Sequence, residues 1–230
     1  MSGIDLNVAL QIASILAIPV VFAITLHEVA HGWAAKQLGD PTAYKLGRLS
    51  LNPLKHVDPL GTIIVPLGLA YLTNGAFYFG WAKPVPVVYG NLRNPKRDMV
   101  LVAAAGPGAN LVMATAWTIA YIVAIMLGAA AIIAGAPDDD WIIRVCTAGI
   151  FFNVLLMVFN LLPIPPLDGS KVLAGFLPPR GAEVIHRLEP FGLIIVMLLM
   201  LPPLALLGTL TEPPRRFFLD FFFGAIRDLT

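Results

Sequence analysis

The composition of this 230-residue chain excludes several classes of protein. Hydrophobic residues make up 58% of it and charged residues only 13%, whereas a soluble globular domain carries about 25% charged residues. The formal net charge of +1 gives no electrostatic support for nucleic acid as a partner. The single cysteine, Cys146, excludes an internal disulfide and a thiolate metal cluster. These values predict one integral membrane domain over residues 1–230, surrounded by the lipid bilayer.

The first apolar segment predicts one long helix over residues 6–38. Gly39 and Pro41 would end it, because glycine accepts the left-handed conformation after a helix and proline cannot continue the helix. A helix of that length would extend about 50 Å at about 1.5 Å per residue, and the hydrocarbon core needs only about 30 Å. One end is therefore expected to project from the bilayer or to lie in a protein-lined cavity.

The rest of the chain alternates apolar and polar stretches. Residues 61–79 are apolar but broken by glycine, proline and asparagine, which predicts a re-entrant or membrane-buried segment. Residues 85–89 alternate as in a short strand. Further apolar segments are expected at 99–135, 141–169 and 191–210, followed by an interfacial tail at 212–230. The fold class predicted is an all-α polytopic membrane protein with about four transmembrane helices, a re-entrant or buried segment and short β elements on the cytoplasmic side.

Basic residues orient this arrangement. Lysine and arginine cluster in the polar connections on both sides of 61–79. If 61–79 crossed the bilayer, the two clusters would lie on opposite sides, against the tendency of basic loops to remain in the cytoplasm. A re-entrant path places both in the cytoplasm and the acidic turn at 138–140 outside. We expect a prokaryotic inner membrane, with the end of the first helix towards the cytoplasm.

The stretch "HEVAH" at residues 27–31 is the main candidate for chemistry. His27 and His31 are four residues apart, so both imidazoles project from one helical face. This spacing suits two nitrogen ligands of one Zn²⁺ per chain, with Glu28 beside the open coordination position as the general base. Two histidines alone hold zinc poorly. Asp168 is the candidate third ligand, because the topology brings it to the same depth and a carboxylate there is costly unless it has a partner.

Two asparagines are expected at the depth of this motif. Asn110 follows "AAAGPG", and Asn160 opens "NLLPIPPLDG". Either amide could donate a hydrogen bond to an oxyanion, and the alternative for each is a hydrogen bond that joins two membrane helices. His56, near Asp58, is a further candidate ligand, although its proline-bounded polar loop favours a turn-stabilising role.

The two motifs together resemble the signatures of the site-2 protease family of intramembrane zinc metalloproteases, HExxH and a distal N-x-x-P-x-x-x-L-D-G. "GPGAN" at 106–110 is similar to the Gly-Pro-x-x-Asn element of that family. The resemblance implies hydrolysis of peptide bonds in transmembrane protein substrates within or near the bilayer. Many members of that family carry a PDZ or CBS domain, and we expect a compact form here because the 230 residues leave room for neither. The oligomeric state stays open.

Two other functions compete with this interpretation. A membrane metal-ion transporter would use the same histidines and aspartate as a transport site, but it needs a polar route to the far leaflet, and the outer halves of the segments carry few polar residues. A non-catalytic scaffold that binds membrane proteins has no need of Glu28. For the protease, we further expect the extended stretch at 85–89 to pair with an unwound substrate by strand addition.

Overall fold

The computed structural model describes residues 6–73, 80–128, 141–200 and 206–229, and within these ranges it is helical and contains no β-strand. The α-helices are, in chain order, α1 (Leu6–Leu38), α2 (Thr42–Lys45), α3 (Val65–Leu72), α4 (Pro95–Met126), α5 (Trp141–Asn160), α6 (Asp168–Phe176), α7 (Pro179–Leu188), α8 (Gly192–Met200) and α9 (Leu206–Leu229). Short 3₁₀ segments lie at Pro53–His56, Tyr89–Asn91 and Glu189–Phe191, and a π-helical segment at Pro59–Ile64.

Among the described residues, three helices are long and apolar enough to cross a membrane, and these are α1, α4 and α5. The prediction of a helical membrane protein is confirmed. The segment expected at 191–210 contains α8 and the start of α9, and its residues 201–205 lie outside the described ranges. The acidic turn at 138–140 also lies outside them.

Helix α1 ends at Leu38 in the manner predicted from Gly39. Gly39 has a φ of +117°, and its N–H donates to the carbonyl of Lys36 at 3.3 Å. The N–H of Asp40 donates to the carbonyl of Ala35 at 2.8 Å. These two bonds form the Schellman arrangement, which satisfies carbonyls that the last helical turn would otherwise leave unpaired.

The three long helices pack against one another through small and branched residues. Ala114 of α4 and Ile150 of α5 are both fully buried in one cluster. Gly149 of α5 lies against the indole of Trp117, in a space that a Cβ would fill. Small residues let membrane helices approach closely, and this interface can therefore enclose buried polar side chains.

Helix α4 begins at Pro95, four residues before the predicted start at 99. The carboxylate of Asp98 accepts a hydrogen bond from the N–H of Asn94 at 2.8 Å, and Pro95 occupies a first-turn position where its missing N–H costs nothing. The polar residues of "NPKRD" therefore form the N-terminal cap and the first turn of this helix. The helix ends at Met126, and residues 129–135 of the predicted segment lie outside the described ranges.

The apolar stretch Pro59–Leu72 is too short to cross the bilayer by itself. It reaches about 20 Å at about 1.5 Å per residue, and none of the residues of α3 is buried. The re-entrant or membrane-buried path of 61–79 stays a prediction. Residues 74–79, the end of the predicted segment, lie outside the described ranges.

The short strand predicted at 85–89 is wrong for the described residues. Residues 80–88 form no regular element, and Tyr89 begins a 3₁₀ turn. Pro84 and Pro86 have no N–H to offer a neighbouring strand, and the N–H of Val85 donates to a side chain instead.

The segment predicted at 141–169 divides into two helices. Helix α5 ends at Asn160, and Asp168 is the first residue of α6 rather than part of an irregular bend. A Cβ at Gly169 would fall on the carbonyl groups of Leu161 and Leu162, so only glycine permits this turn. Because a carboxylate is stabilised at the N-terminal end of a helix, the start of α6 suits Asp168.

The C-terminal residues form one helix that packs on the bundle. Phe222 and Ile226 of α9 are buried in the same cluster as Ala114 and Ile150. Much of the stretch predicted as an interfacial tail thus belongs to a continuous helix with one face against α4 and α5.

Candidate active site

Three side chains that the sequence singled out meet at one point. The Nε2 atoms of His27 and His31 are 3.0 Å apart. The Oδ2 atom of Asp168 lies 3.3 Å from Nε2 of His27 and 3.2 Å from Nε2 of His31. All three residues are buried. Helix α1 thus supplies two nitrogen atoms and the start of α6 supplies one oxygen atom.

The other nitrogen of each imidazole is engaged in the protein interior. Nδ1 of His27 lies 2.6 Å from Oδ1 of Asn110, and Nδ1 of His31 lies 2.7 Å from the carbonyl oxygen of Val102. Since a carbonyl oxygen only accepts, both Nδ1 atoms donate, and in the neutral imidazole that binds a metal the lone pair is then on Nε2. An outer-shell acceptor of this kind is the usual partner of a metal-binding histidine.

The donor set fits a zinc ion. Ligand atoms at about 2.0–2.1 Å from tetrahedral zinc lie about 3.3 Å from each other, which matches the three separations here. The buried Oδ2 atom of Asp168 has no hydrogen-bond partner among the described residues. Two lone pairs and a carboxylate oxygen would repel one another unless a cation lay between them. The three atoms form the one group of potential metal ligands among the described residues.

Gly106 leaves the space that the two imidazoles occupy. A Cβ on Gly106 would fall on Nε2 of His31 and would lie 2.7 Å from Cε1 of His27. The glycine of "GPGAN" therefore allows α4 to pass directly behind the ligand face of α1.

A cavity of about 410 Å³ opens beside the ligands. The side chains of Glu28, Asn160 and Lys171 line it together with the three ligands. The Oε2 atom of Glu28 accepts a hydrogen bond from the N–H of Val85 at 2.7 Å. The carboxylate predicted as a general base thus shares one cavity with the candidate metal ligands.

The two predicted asparagines occupy different positions. Asn160 lines the cavity, and its Nδ2 donates to the carbonyl of Leu156 at 3.0 Å. Asn110 is fully buried, and its Nδ2 donates to the carbonyl of Ala23 and to Asn153 at 3.2 and 2.9 Å. The hydrogen bonds of Asn110 thus correspond to the alternative of a contact between membrane helices, whereas Asn160 lies at the cavity.

His56 and Asp58 lie in turns of their own. His56 is buried, and its Nε2 donates to the carbonyl of Ser50 at 2.8 Å. The carboxylate of Asp58 accepts from the N–H of Gly61 at 2.7 Å. Within the described chain, these two residues join no group of metal ligands.

Lys171 is a cavity residue that the sequence did not single out. Its Nζ lies 4.0 Å from Oδ1 of Asp168. Burial lowers the pKa of this amine, but Tyr89 and the carboxylates of Asp168 and Glu189 raise it above its ordinary value on balance. Lys171 therefore stays charged beside the oxygen of Asp168 that faces away from the histidines.

Asn153 is the second residue that sequence reasoning missed. It is fully buried in α5, and its Oδ1 accepts a hydrogen bond from Nδ2 of Asn110, the residue that lies against Nδ1 of His27. The available signal was a lone asparagine inside an apolar span, "FFNVLLM", two helical turns before Asn160.

Comparison with known proteins places the chain in a family. A Bacillus subtilis protein named "Putative zinc metalloprotease YwhC" is 36% identical over 195 residues, which cover 85% of this chain and 84% of the relative. Proteins named "Putative zinc metalloprotease Rip2" are 30% identical in Mycolicibacterium smegmatis and 29% identical in Mycobacterium tuberculosis, and the matches cover 65% and 64% of those relatives. No family model and no solved structure matches. At this identity and coverage, the chain belongs to the zinc metalloprotease family of YwhC, and Zn²⁺ is its cofactor.

Proposed function

We propose that the protein is an intramembrane zinc endopeptidase of the site-2 protease type. It would hydrolyse peptide bonds of transmembrane protein substrates within or near the bilayer. The observation that carries this proposal is the convergence of two Nε2 atoms and Oδ2 of Asp168, 3.0–3.3 Å apart, with Glu28 in the same cavity on helices apolar enough to span a membrane.

His27, His31 and Asp168 would hold the metal. A bound zinc ion supplies a Lewis acid that acidifies a water molecule and polarises the scissile carbonyl. Glu28 would take the proton of the attacking water and pass it to the leaving amine. The amide of Asn160 would donate to the oxygen of the scissile carbonyl as negative charge develops there.

The walls of the cavity favour an extended, apolar peptide. Val85, Val87, Val102 and Leu167 line it, which suits the aliphatic side chains of a transmembrane segment. A helix cannot be hydrolysed easily while its carbonyls are bonded internally, so the substrate would enter in an unwound form. The basic connections around 61–79 support a site on the cytoplasmic side of a prokaryotic cell membrane. The proposal makes no assumption about the oligomeric state.

The test compares zinc content and cleavage of a transmembrane substrate in detergent for the wild type, Glu28→Gln and Asp168→Ala. Glu28→Gln should retain zinc and lose cleavage by about 10²–10⁴-fold, the usual contribution of a general base. Asp168→Ala should lose zinc. Glu183→Gln is the matched control, because its carboxylate is exposed and paired with Arg187 on α7. Unchanged cleavage by Glu28→Gln would overturn the proposal, and zinc flux through vesicles that contain the wild type would favour the transporter.

A further inference from the structure

A chain of buried amides connects α5 to the first metal ligand. Asn110 and Asn153 are both fully buried. Nδ2 of Asn153 donates to the carbonyl of Gly149 at 2.8 Å, and Oδ1 of Asn153 accepts from Nδ2 of Asn110 at 2.9 Å. Oδ1 of Asn110 in turn lies 2.6 Å from Nδ1 of His27.

The direction of every bond in this chain follows from its two backbone ends. The carbonyls of Gly149 and Ala23 only accept hydrogen bonds. Each therefore fixes one amide with its Nδ2 towards the carbonyl and its Oδ1 towards the next donor. The last acceptor, Oδ1 of Asn110, requires that His27 carry its proton on Nδ1. The lone pair of His27 is then on Nε2, on the side of Asp168.

We infer that Asn110 and Asn153 are positioning residues that hold His27 in its zinc-binding tautomer, and that Asn153 acts on the metal through Asn110. The inference rests on the zinc site of the proposed function but not on peptide hydrolysis. The inference also explains why α5 carries the buried polar residue Asn153. Packing alone does not require it, because replacing both members of a buried polar pair by apolar residues of similar shape can be nearly neutral for folding.

A purely structural role would have a different signature. Asparagines that only join helices would affect the stability of the apo protein and leave zinc affinity unchanged. A relay to His27 changes zinc affinity, and the loss of an outer-shell partner of a metal-binding histidine typically weakens metal binding by 10- to 100-fold. The two roles therefore separate in a direct measurement of zinc binding.

The experiment is a double-mutant cycle on zinc affinity, measured by competition with a chelator for the full chain in detergent. The variants are Asn110→Leu, Asn153→Leu and the double substitution, because leucine has the branched shape of asparagine and cannot form its hydrogen bonds. Each single variant should weaken zinc binding by about 10- to 100-fold. The double variant should resemble Asn110→Leu alone, since Asn153 has nothing to act through once Asn110 is lost.

Two further variants keep the test decisive. Thr118→Val is the matched control, because this buried hydroxyl of α4 donates only to the carbonyl of Ala114 in its own helix, and the variant should bind zinc like the wild type. Asn153→Ala repeats the measurement with a smaller side chain in case leucine at 153 prevents folding. Normal zinc affinity in the Asn153 variants, or independent multiplicative effects of the two sites, would overturn the relay. A wild type that binds no zinc would overturn the proposed function as well.

Discussion

The carboxylate of Glu28 accepts a hydrogen bond from the backbone N–H of Val85, at 2.7 Å from nitrogen to oxygen. This bond attaches the candidate base on α1 to the irregular segment that forms one wall of the cavity. Arg48 fastens the same segment, because its Nη2 donates to the carbonyls of Lys83 and Pro84 at 3.0 and 3.3 Å. The orientation of the base therefore depends on the position of the cavity wall.

The first prediction concerns the cavity wall as a surface for an extended substrate. No described residue accepts a hydrogen bond from the N–H of Val87, and the side chain of Val87 lines the cavity. If a substrate pairs with this segment, that N–H is available to a substrate carbonyl. Val87→Pro should abolish cleavage while zinc content stays at the wild-type level.

The control for this experiment is Val87→Ala, which shortens the side chain and keeps the N–H. It should retain most of the cleavage of a transmembrane substrate. If Val87→Pro cleaves as well as Val87→Ala does, backbone pairing at this position is not part of substrate binding.

The second prediction uses two glycines in one motif. A Cβ at Gly106 would overlap His31 and crowd His27, whereas a Cβ at Gly108 would meet nothing within 4 Å beyond its own stretch of helix. Gly106→Ala should therefore displace the imidazoles and reduce zinc content and cleavage together. Gly108→Ala should behave like the wild type. Equal zinc content in the two variants, measured after purification in detergent, would contradict the position of α4 behind the ligands.

The third prediction separates the two asparagines that the sequence analysis treated alike. Asn160 lines the cavity, and in the described structure its Nδ2 donates to the carbonyl of Leu156 rather than to a group that holds a histidine. Asn160→Ala should lower the rate of cleavage by about 10²–10³-fold, the usual effect of removing an oxyanion donor, and should leave zinc affinity unchanged. A loss of zinc in Asn160→Ala would instead give this residue the role inferred for Asn110.

The local motifs could be predicted from the sequence because they depend on short-range geometry. The spacing of His27 and His31 follows from the helical repeat, and the end of α1 follows from the conformational freedom of Gly39. The choice of Asp168 needed only the topology and the cost of an unpaired carboxylate at membrane depth.

The contacts between distant segments could not be predicted from the sequence. For Asn110 the sequence left two roles open, a donor to an oxyanion or a bond between membrane helices, because the acceptor that it meets, Asn153, is 43 residues away on another helix. The alternation at 85–89 predicted a strand, but a side chain 57 residues earlier takes the N–H of Val85. Sequence periodicity describes which face of a segment is apolar, whereas these bonds depend on how the helices are packed.

The last prediction concerns Asp40, a buried carboxylate at the end of α1. Its Oδ2 accepts from the N–H of Val88 at 2.7 Å, and its Oδ1 accepts from Nδ2 of Asn91 at 3.0 Å and from the N–H of Thr42 at 3.1 Å. Burial raises the pKa of this carboxyl, but the hydrogen bonds from Asn91, Thr42 and Val88 lower it below its ordinary value on balance. The charged form thus stabilises the connection between α1 and the cavity wall.

A folded-state pKa below the unfolded value, which is about 3.9 for aspartate, gives a stabilisation that is present above that value and is lost as the pH falls through the folded pKa. Asp40→Asn should therefore unfold at a lower temperature than the wild type near neutral pH, with a cost of about 1.5–3 kcal/mol, the usual value of a hydrogen bond to a charged group. As the pH falls below about 4 the difference between the two proteins should shrink, and it should vanish once the pH is below the folded pKa of Asp40, where the wild-type carboxylate is protonated in the folded protein.

Thermal unfolding in detergent, followed by tryptophan fluorescence from neutral pH to below pH 4, measures this convergence. Asp220→Asn is the control, because the side chain of Asp220 is 75% exposed and lies 3.8 Å from Arg216 on the surface of α9, so its loss should change the unfolding temperature little. A difference between wild type and Asp40→Asn that stays constant with pH would mean that the hydrogen bonds of Asp40 do not depend on its charge.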